Sequence, residues 1–118
     1  MKKQSTITPA VGSIIAWESQ AAGSWKTKIG RVVHLPHEGA MDGRNTSSKY
    51  RILVLASYDL PTNKRGEMFV PTEHEVESLR KRLSIKVFRN PDTHRIGVAT
   101  GNQIRIPKRW ELELAEGA

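Results

Sequence analysis

The chain has 118 residues, no cysteine and a formal net charge of +7. That length fits one domain, since domains centre near about 100–150 residues, and the lack of cysteine excludes disulfides and thiolate zinc sites. No apolar run approaches the ~18 residues of a membrane span, and Met1–Thr6 has the charge of a secretory signal without its apolar middle, so we expect a cytoplasmic protein with no membrane partner.

In chain order, residues 1–10 read as a flexible polar arm, 11–114 as a single barrel-like domain and 115–118 as a tail. "SIIAWES" (13–19) is rich in β-formers, and "AAGS" places a turn at Gly23. "WKTKIGRVVHL" (25–35) alternates, with Trp25, Thr27 and Ile29 on one face and Lys26 and Lys28 on the other. Gly30 interrupts that strand, which predicts a bulge or bend. The segment 36–49 holds Gly39, Asp42, Gly43 and Asn45 without periodicity and reads as a loop. "YRILVLASY" (50–58) is the most apolar run and the expected central strand. "DLPTNKRG" is turn chemistry, and "EMFVP" (67–71) reads as a short strand.

A helix is expected over 72–83. Thr72 and Glu75 fit a capping box, Val76, Leu79 and Leu83 form one apolar stripe, and acids precede bases along the segment. "SIKVF" (84–88), "IGVAT" (96–100) and "QIRI" (103–106) return to strand spacing, with a two-residue hairpin turn at Gly101-Asn102. "PKRWELEL" (107–114) is expected to turn and end in a last strand, with Trp110, Leu112 and Leu114 on one face. Six to seven short strands and one helix make the fold class mainly β, an SH3-like or partly open antiparallel barrel. Trp17, Trp25 and Trp110 are expected in the core, Trp25 being the one placed for exposure at its turn.

Two echoes suggest internal duplication. "VPTEHEVE" (70–77) aligns with "IPKRWELE" (106–113), and "KIGRVV" (28–33) with "RIGVAT" (95–100). Their spacings disagree, Gly30 to Pro71 being 41 residues and Gly97 to Pro107 only 10. Proline simply stops a strand, so we read the pair as shared punctuation. The first copy should start a helix, and the second, lacking a capping residue, only a turn.

The charge is concentrated. Residues 80–109 hold nine basic side chains and one acid, Asp92, for +8. Such a balance favours polyanionic partners, usually nucleic acid. If 84–88, 95–100 and 103–106 pair side by side, Ile85, Val87, Ile96, Val98, Ile104 and Ile106 share an apolar face. The other face presents Lys86, Phe88, Arg95 and Arg105, with Gly97 and Ala99 keeping it open. Cations that track phosphates beside a ring that stacks on a base suit single-stranded nucleic acid. Arg89, Lys108 and Arg109 at the turns extend the footprint, and Arg44 in the loop 36–49 is placed to clamp a strand. The competing reading is a solvated basic face with Phe88 tucked under the helix.

Other chemistry has less support. His34 and His37, with Pro36 between them, do not make a metal-binding spacing, and no cofactor motif is present. There is no G-x-S-x-G and no phosphate-binding Walker loop. "VGSIIAW" (11–17) and "GRVV" (30–33) resemble the opening strands of the toxin ribonucleases of the MazF kind. That resemblance implies a metal-independent endoribonuclease on an SH3-like barrel, and no catalytic residue maps onto this chain. The expected function is therefore non-catalytic nucleic-acid binding, with no feature favouring DNA over RNA. The alternatives are that ribonuclease, or a phage or plasmid interaction module whose basic face docks an acidic protein.

Overall fold

Three long strands carry the architecture: β1 (Ile14–Ala21), β2 (Ser24–His34) and β3 (Tyr50–Asp59). They belong to a computed structural model that describes residues 9–21, 23–36 and 49–117. Most of the expected arm and of the loop 36–49, with Arg44 and His37, lies outside the described residues. β1 and β2 form a hairpin across Gly23, and β2 pairs with β3. Three shorter strands follow: β4 (Lys86–Val87), β5 (Arg95–Ala99) and β6 (Ile104–Arg105). β4 and β5 share one edge of β3, β4 beside Ala56 and Ser57 and β5 beside Tyr50–Val54. β6 pairs with the far edge of β1, at Ala16 and Trp17.

The sheet must curl. β5 and β6 lie on opposite edges of the three long strands, yet only Thr100–Gln103 connect them. That link is a turn, closed by the Gln103 N–H on the Thr100 carbonyl at 3.0 Å. Four strand spacings in a flat sheet come to about 19 Å, further than a turn reaches. A second observation agrees: a Cβ on Gly97 of β5 would lie 2.8 Å from the indole of Trp17 on β1. The two strands therefore face each other across the inside of a partly open barrel of six antiparallel strands.

Both faces of the long strands are covered, which is why β3 reads as a nearly unbroken apolar run. The inner face packs Ile15, Trp17, Val32, Ile52, Val54, Ala99 and Ile104. The outer face packs Ala16, Ile29, Leu55, Ala56 and Tyr58 against Val76 and Leu83 and against Trp110 and Ala115. Those last pairs belong to the segment of α1 (Glu73–Leu79) with its 3₁₀ continuation, and to α2 (Arg109–Glu116). The expected helix at 72–83 is thus present, with Thr72 and Glu75 completing the capping box.

Gly30 is the bulge its position predicts. Ile29 pairs with Ala56 and Gly30 with Val54, leaving Leu55 as the extra residue on β3. The phase change lets Ser57 and Val54 share the inner face. Side chains larger than hydrogen do not fit at Gly30, because a Cβ there would sit 2.3 Å from the Leu53 carbonyl oxygen. Of the tryptophans, Trp17 and Trp110 are buried and Trp25 is 39% exposed.

Four expectations are corrected. Residues 67–71 form no strand; Met68 makes one isolated bridge to Thr62, and Asn63 organises the turn by accepting the Arg65 and Glu67 N–H groups. Gly101-Asn102 does not join a hairpin, since β5 and β6 pair with different strands. The phase of β5 is inverted: Gly97 faces Trp17 and Ala99 is buried, while Ile96 and Val98 are exposed. Lastly, 107–114 is not a turn and strand but the start of α2. Its N-cap Lys108 has no capping side chain, yet Glu111 reaches back from N3 to the Lys108 N–H at 2.8 Å. The two proline segments therefore fold alike, each proline preceding a helix capped by a glutamate at N3. The Trp110 indole N–H donates to the Pro71 carbonyl at 2.8 Å and ties one to the other.

Candidate functional site

The inner face of the sheet is divided along its length. One half is the apolar interior described above. The other carries polar side chains in cross-strand rows. Lys28 on β2 pairs with Ser57 on β3, and Ser57 pairs with Lys86 on β4, so two lysines flank one serine on a single face. One row towards the apolar half, Val54 pairs with Arg95 of β5. One row the other way, Lys26 pairs with Asp59, and their side chains meet at 2.5 Å. All of these side chains except that of Asp59 line a cleft of about 440 Å³, whose walls also include Phe88.

Phe88 marks the boundary between the two halves. It is half-buried, packs against the inner core and borders the cleft. Its backbone is fixed on both sides. The Phe88 N–H donates to the carbonyl of Leu55, the bulged residue, at 2.9 Å, and its own carbonyl lies 2.6 Å from His94 Nε2. Bulges commonly re-aim a neighbouring residue, and here the bulge opposite Gly30 sets where Phe88 stands. Among the described residues Lys28, Lys86 and Arg95 make no salt bridge, while Lys26 is neutralised by Asp59.

Three of the residues singled out from sequence, Lys86, Phe88 and Arg95, thus come together. The reason differs from the one expected: β4 and β5 do not pair with each other but share the edge of β3. Arg89 is exposed just past Phe88. Lys108 occupies the N-cap position of α2 and is exposed, and Arg109 lies 4.0 Å from Glu73. Arg44 lies outside the described residues. Sequence reasoning missed Lys26 and Lys28. Their alternation with Trp25, Thr27 and Ile29 was legible, but they fall outside the basic segment 80–109.

Arg105 is corrected most sharply. It projects on the helix-covered face, in a network that uses its whole guanidinium. Nη1 and Nη2 donate to the two carboxylate oxygens of Glu111 at 2.9 and 2.8 Å. Nε and Nη2 donate to Glu18 at 3.1 and 2.7 Å. Glu18 also accepts the Thr27 hydroxyl at 2.9 Å, and Glu111 accepts the Tyr58 hydroxyl at 2.5 Å. Glu111, Tyr58 and Thr27 are fully buried. Burial pushes the Glu111 carboxyl up, but hydrogen bonds from Arg105, Tyr58 and the Lys108 N–H outweigh it and hold it below its ordinary value. Burial also disfavours the charged guanidinium of Arg105, and the bonds to Glu111 and Glu18 reverse that and raise it. Burial first, then the bond to Glu111, pushes the Tyr58 hydroxyl up. The fifth N–H, on Nη1, donates to the Ile106 carbonyl at 3.4 Å, so Arg105 has no donor left for a phosphate.

No protein-family model matches the chain, and no curated protein or solved structure matches it either. Among the described residues no group of three or more histidine or acidic side chains is placed to hold a metal ion, and no helix is long and apolar enough to cross a membrane.

Proposed function

We propose that the protein binds nucleic acid through the cleft between β2 and β5, with Lys28, Lys86 and Arg95 contacting phosphates. The observation that supports this is the cross-strand row Lys28–Ser57–Lys86 with Arg95 beside it. Three cations without carboxylate partners among the described residues converge on one concavity, where their fields add and attract a polyanion. Gathering such like charges together is unfavourable for the isolated fold, and a bound phosphate chain relieves the repulsion. The reading is binding rather than cleavage. The described side chains that line the cleft supply cations, hydroxyls and a ring, and include no carboxylate or imidazole to take a proton. Arg105 is left out of the footprint, and Lys28 enters it.

Fluorescence anisotropy with labelled oligonucleotides, at salt concentrations of about 50 and about 200 mM, tests the proposal. Affinity should fall steeply with salt. Lys28→Gln, Lys86→Gln and Arg95→Gln together should abolish most of the low-salt affinity. They should also flatten the slope of log affinity on log salt by roughly two, because each neutralised phosphate contributes ~0.7–0.9 to that slope. No binding at the lower salt, or a triple variant with an unchanged slope, overturns it.

A further inference from the structure

Resting on that reading, we infer that the cleft takes an unpaired nucleotide of a single strand, its base against Phe88 and its flanking phosphates on Lys28, Lys86 and Arg95. The cleft is larger than phosphate binding requires. Its volume of about 440 Å³ lies within the ~300–1,000 Å³ of sites that enclose an organic ligand. Its lining is also mixed in a particular way. Val54, Phe88, Ile96 and the backbone of Gly97 supply apolar surface, and the cations stand around it.

A duplex has no use for such a lining. Its bases are stacked inside a rod, and its phosphates lie on a convex surface, so the apolar part of a concave site would stay unfilled. A single strand has base faces to offer, and a ring next to a cationic groove is how such strands are held. Phe88 is also ready for the role before binding. The Leu55 carbonyl and His94 Nε2 hold its backbone on both sides, so little ordering remains when a base arrives.

The test compares an oligothymidylate of roughly 12 nucleotides, the same backbone carrying abasic sites throughout, a duplex of equal length and thymidine monophosphate as competitor. Phe88→Leu keeps an apolar side chain against the core while removing the aromatic face, and its melting temperature is checked alongside. The oligothymidylate should bind at least about five-fold tighter than either the abasic strand or the duplex, the low end of what one stacked base contributes. Phe88→Leu should reduce it to the abasic level without altering the salt slope. Equal affinity for thymidylate and abasic strands overturns the inference, as does tighter binding of the duplex, while leaving phosphate binding intact. Displacement by equimolar thymidine monophosphate also overturns it, replacing the strand by a free nucleotide. Binding to none of these probes refutes the underlying proposal instead. The abasic comparison uses the unmodified protein and so decides the question even if the variant fails to fold.

Discussion

The same sheet carries cations on both faces and treats them oppositely. On the face covered by α1 and α2, Arg105 gives its guanidinium to two glutamates, one of them fully buried. On the inner face, Lys28, Lys86 and Arg95 border a cleft and have no carboxylate partner among the described residues. In sequence these side chains are indistinguishable units of positive charge. In space the first is neutralised by the protein and stabilises it, and the others are left for a ligand. Charge in a segment therefore says less about binding than charge left after internal pairing.

Breaking the neutralised set should have the largest effect. Arg105→Ala leaves Glu111 buried without its cation and should cost about 3–5 kcal/mol of stability, read from urea unfolding. The folded fraction should bind oligonucleotides with the wild-type salt slope, because Arg105 lies outside the footprint. A stable Arg105→Ala protein that had lost binding would reverse the comparison.

Gly30→Ala should come next, at about 2–3 kcal/mol, since the backbone carbonyl of Leu53 cannot withdraw from the new methyl. This change strikes the other set. Gly30 faces the bulge that places Ser57, Val54 and Phe88 on the cleft. Affinity should fall in the folded fraction as well, whereas Arg105→Ala should leave it unchanged.

A smaller effect separates the sets by pH. The folded-state pKa of Glu111 is depressed, so its contribution is fully present above the ordinary carboxylate value and is lost as pH falls through the lowered one. Urea midpoints measured from neutral pH down to about pH 2 should show an acid limb that Glu111→Gln flattens. The partners of Glu111 are Arg105, Tyr58 and the Lys108 N–H rather than any cleft cation, so the limb should be the same in the Lys28, Lys86 and Arg95 triple variant. An acid limb unaltered by Glu111→Gln would place the linkage elsewhere.

What was legible in the sequence follows the same division. Local signals were reliable where a single residue type dictated them: the capping box of Thr72 and Glu75, the bulge at Gly30, the continuous apolar run of β3. The last segment misled because "RWELEL" satisfies two periods at once. Trp110, Leu112 and Leu114 alternate, while Trp110 and Leu114, like Glu111 and Ala115, are also one helical turn apart. Glu111 decided the outcome by capping from N3, as Glu75 does in the first segment. The site was legible only in part, because pairing is not local. No feature of 84–106 announces that β4 and β5 would share one edge of β3 while β6 crosses to β1. That crossing carries Arg105 to Glu18, 87 residues away in sequence, while Lys28 enters the cleft through the pairing of β2 with β3 at Ser57.

Lys26 stands between the two sets and gives the finest test. It borders the cleft like Lys28, yet it is paired with Asp59 on the neighbouring strand, both side chains about one third exposed. Exposed pairs of this kind contribute ~0–1 kcal/mol, so Asp59→Asn should barely move the unfolding midpoint. It should nevertheless free a fourth cation for the ligand. Oligonucleotide affinity should rise by up to about five-fold at low salt, the worth of one ion pair near ~1 kcal/mol in water, and the gain should vanish at high salt. Lys26→Gln in the wild-type background should weaken binding less than Lys28→Gln, since Lys26 begins with a partner. If Asp59→Asn leaves affinity unchanged at low salt, the cleft field does not extend to this row, and the ligand contacts only Lys28, Lys86 and Arg95.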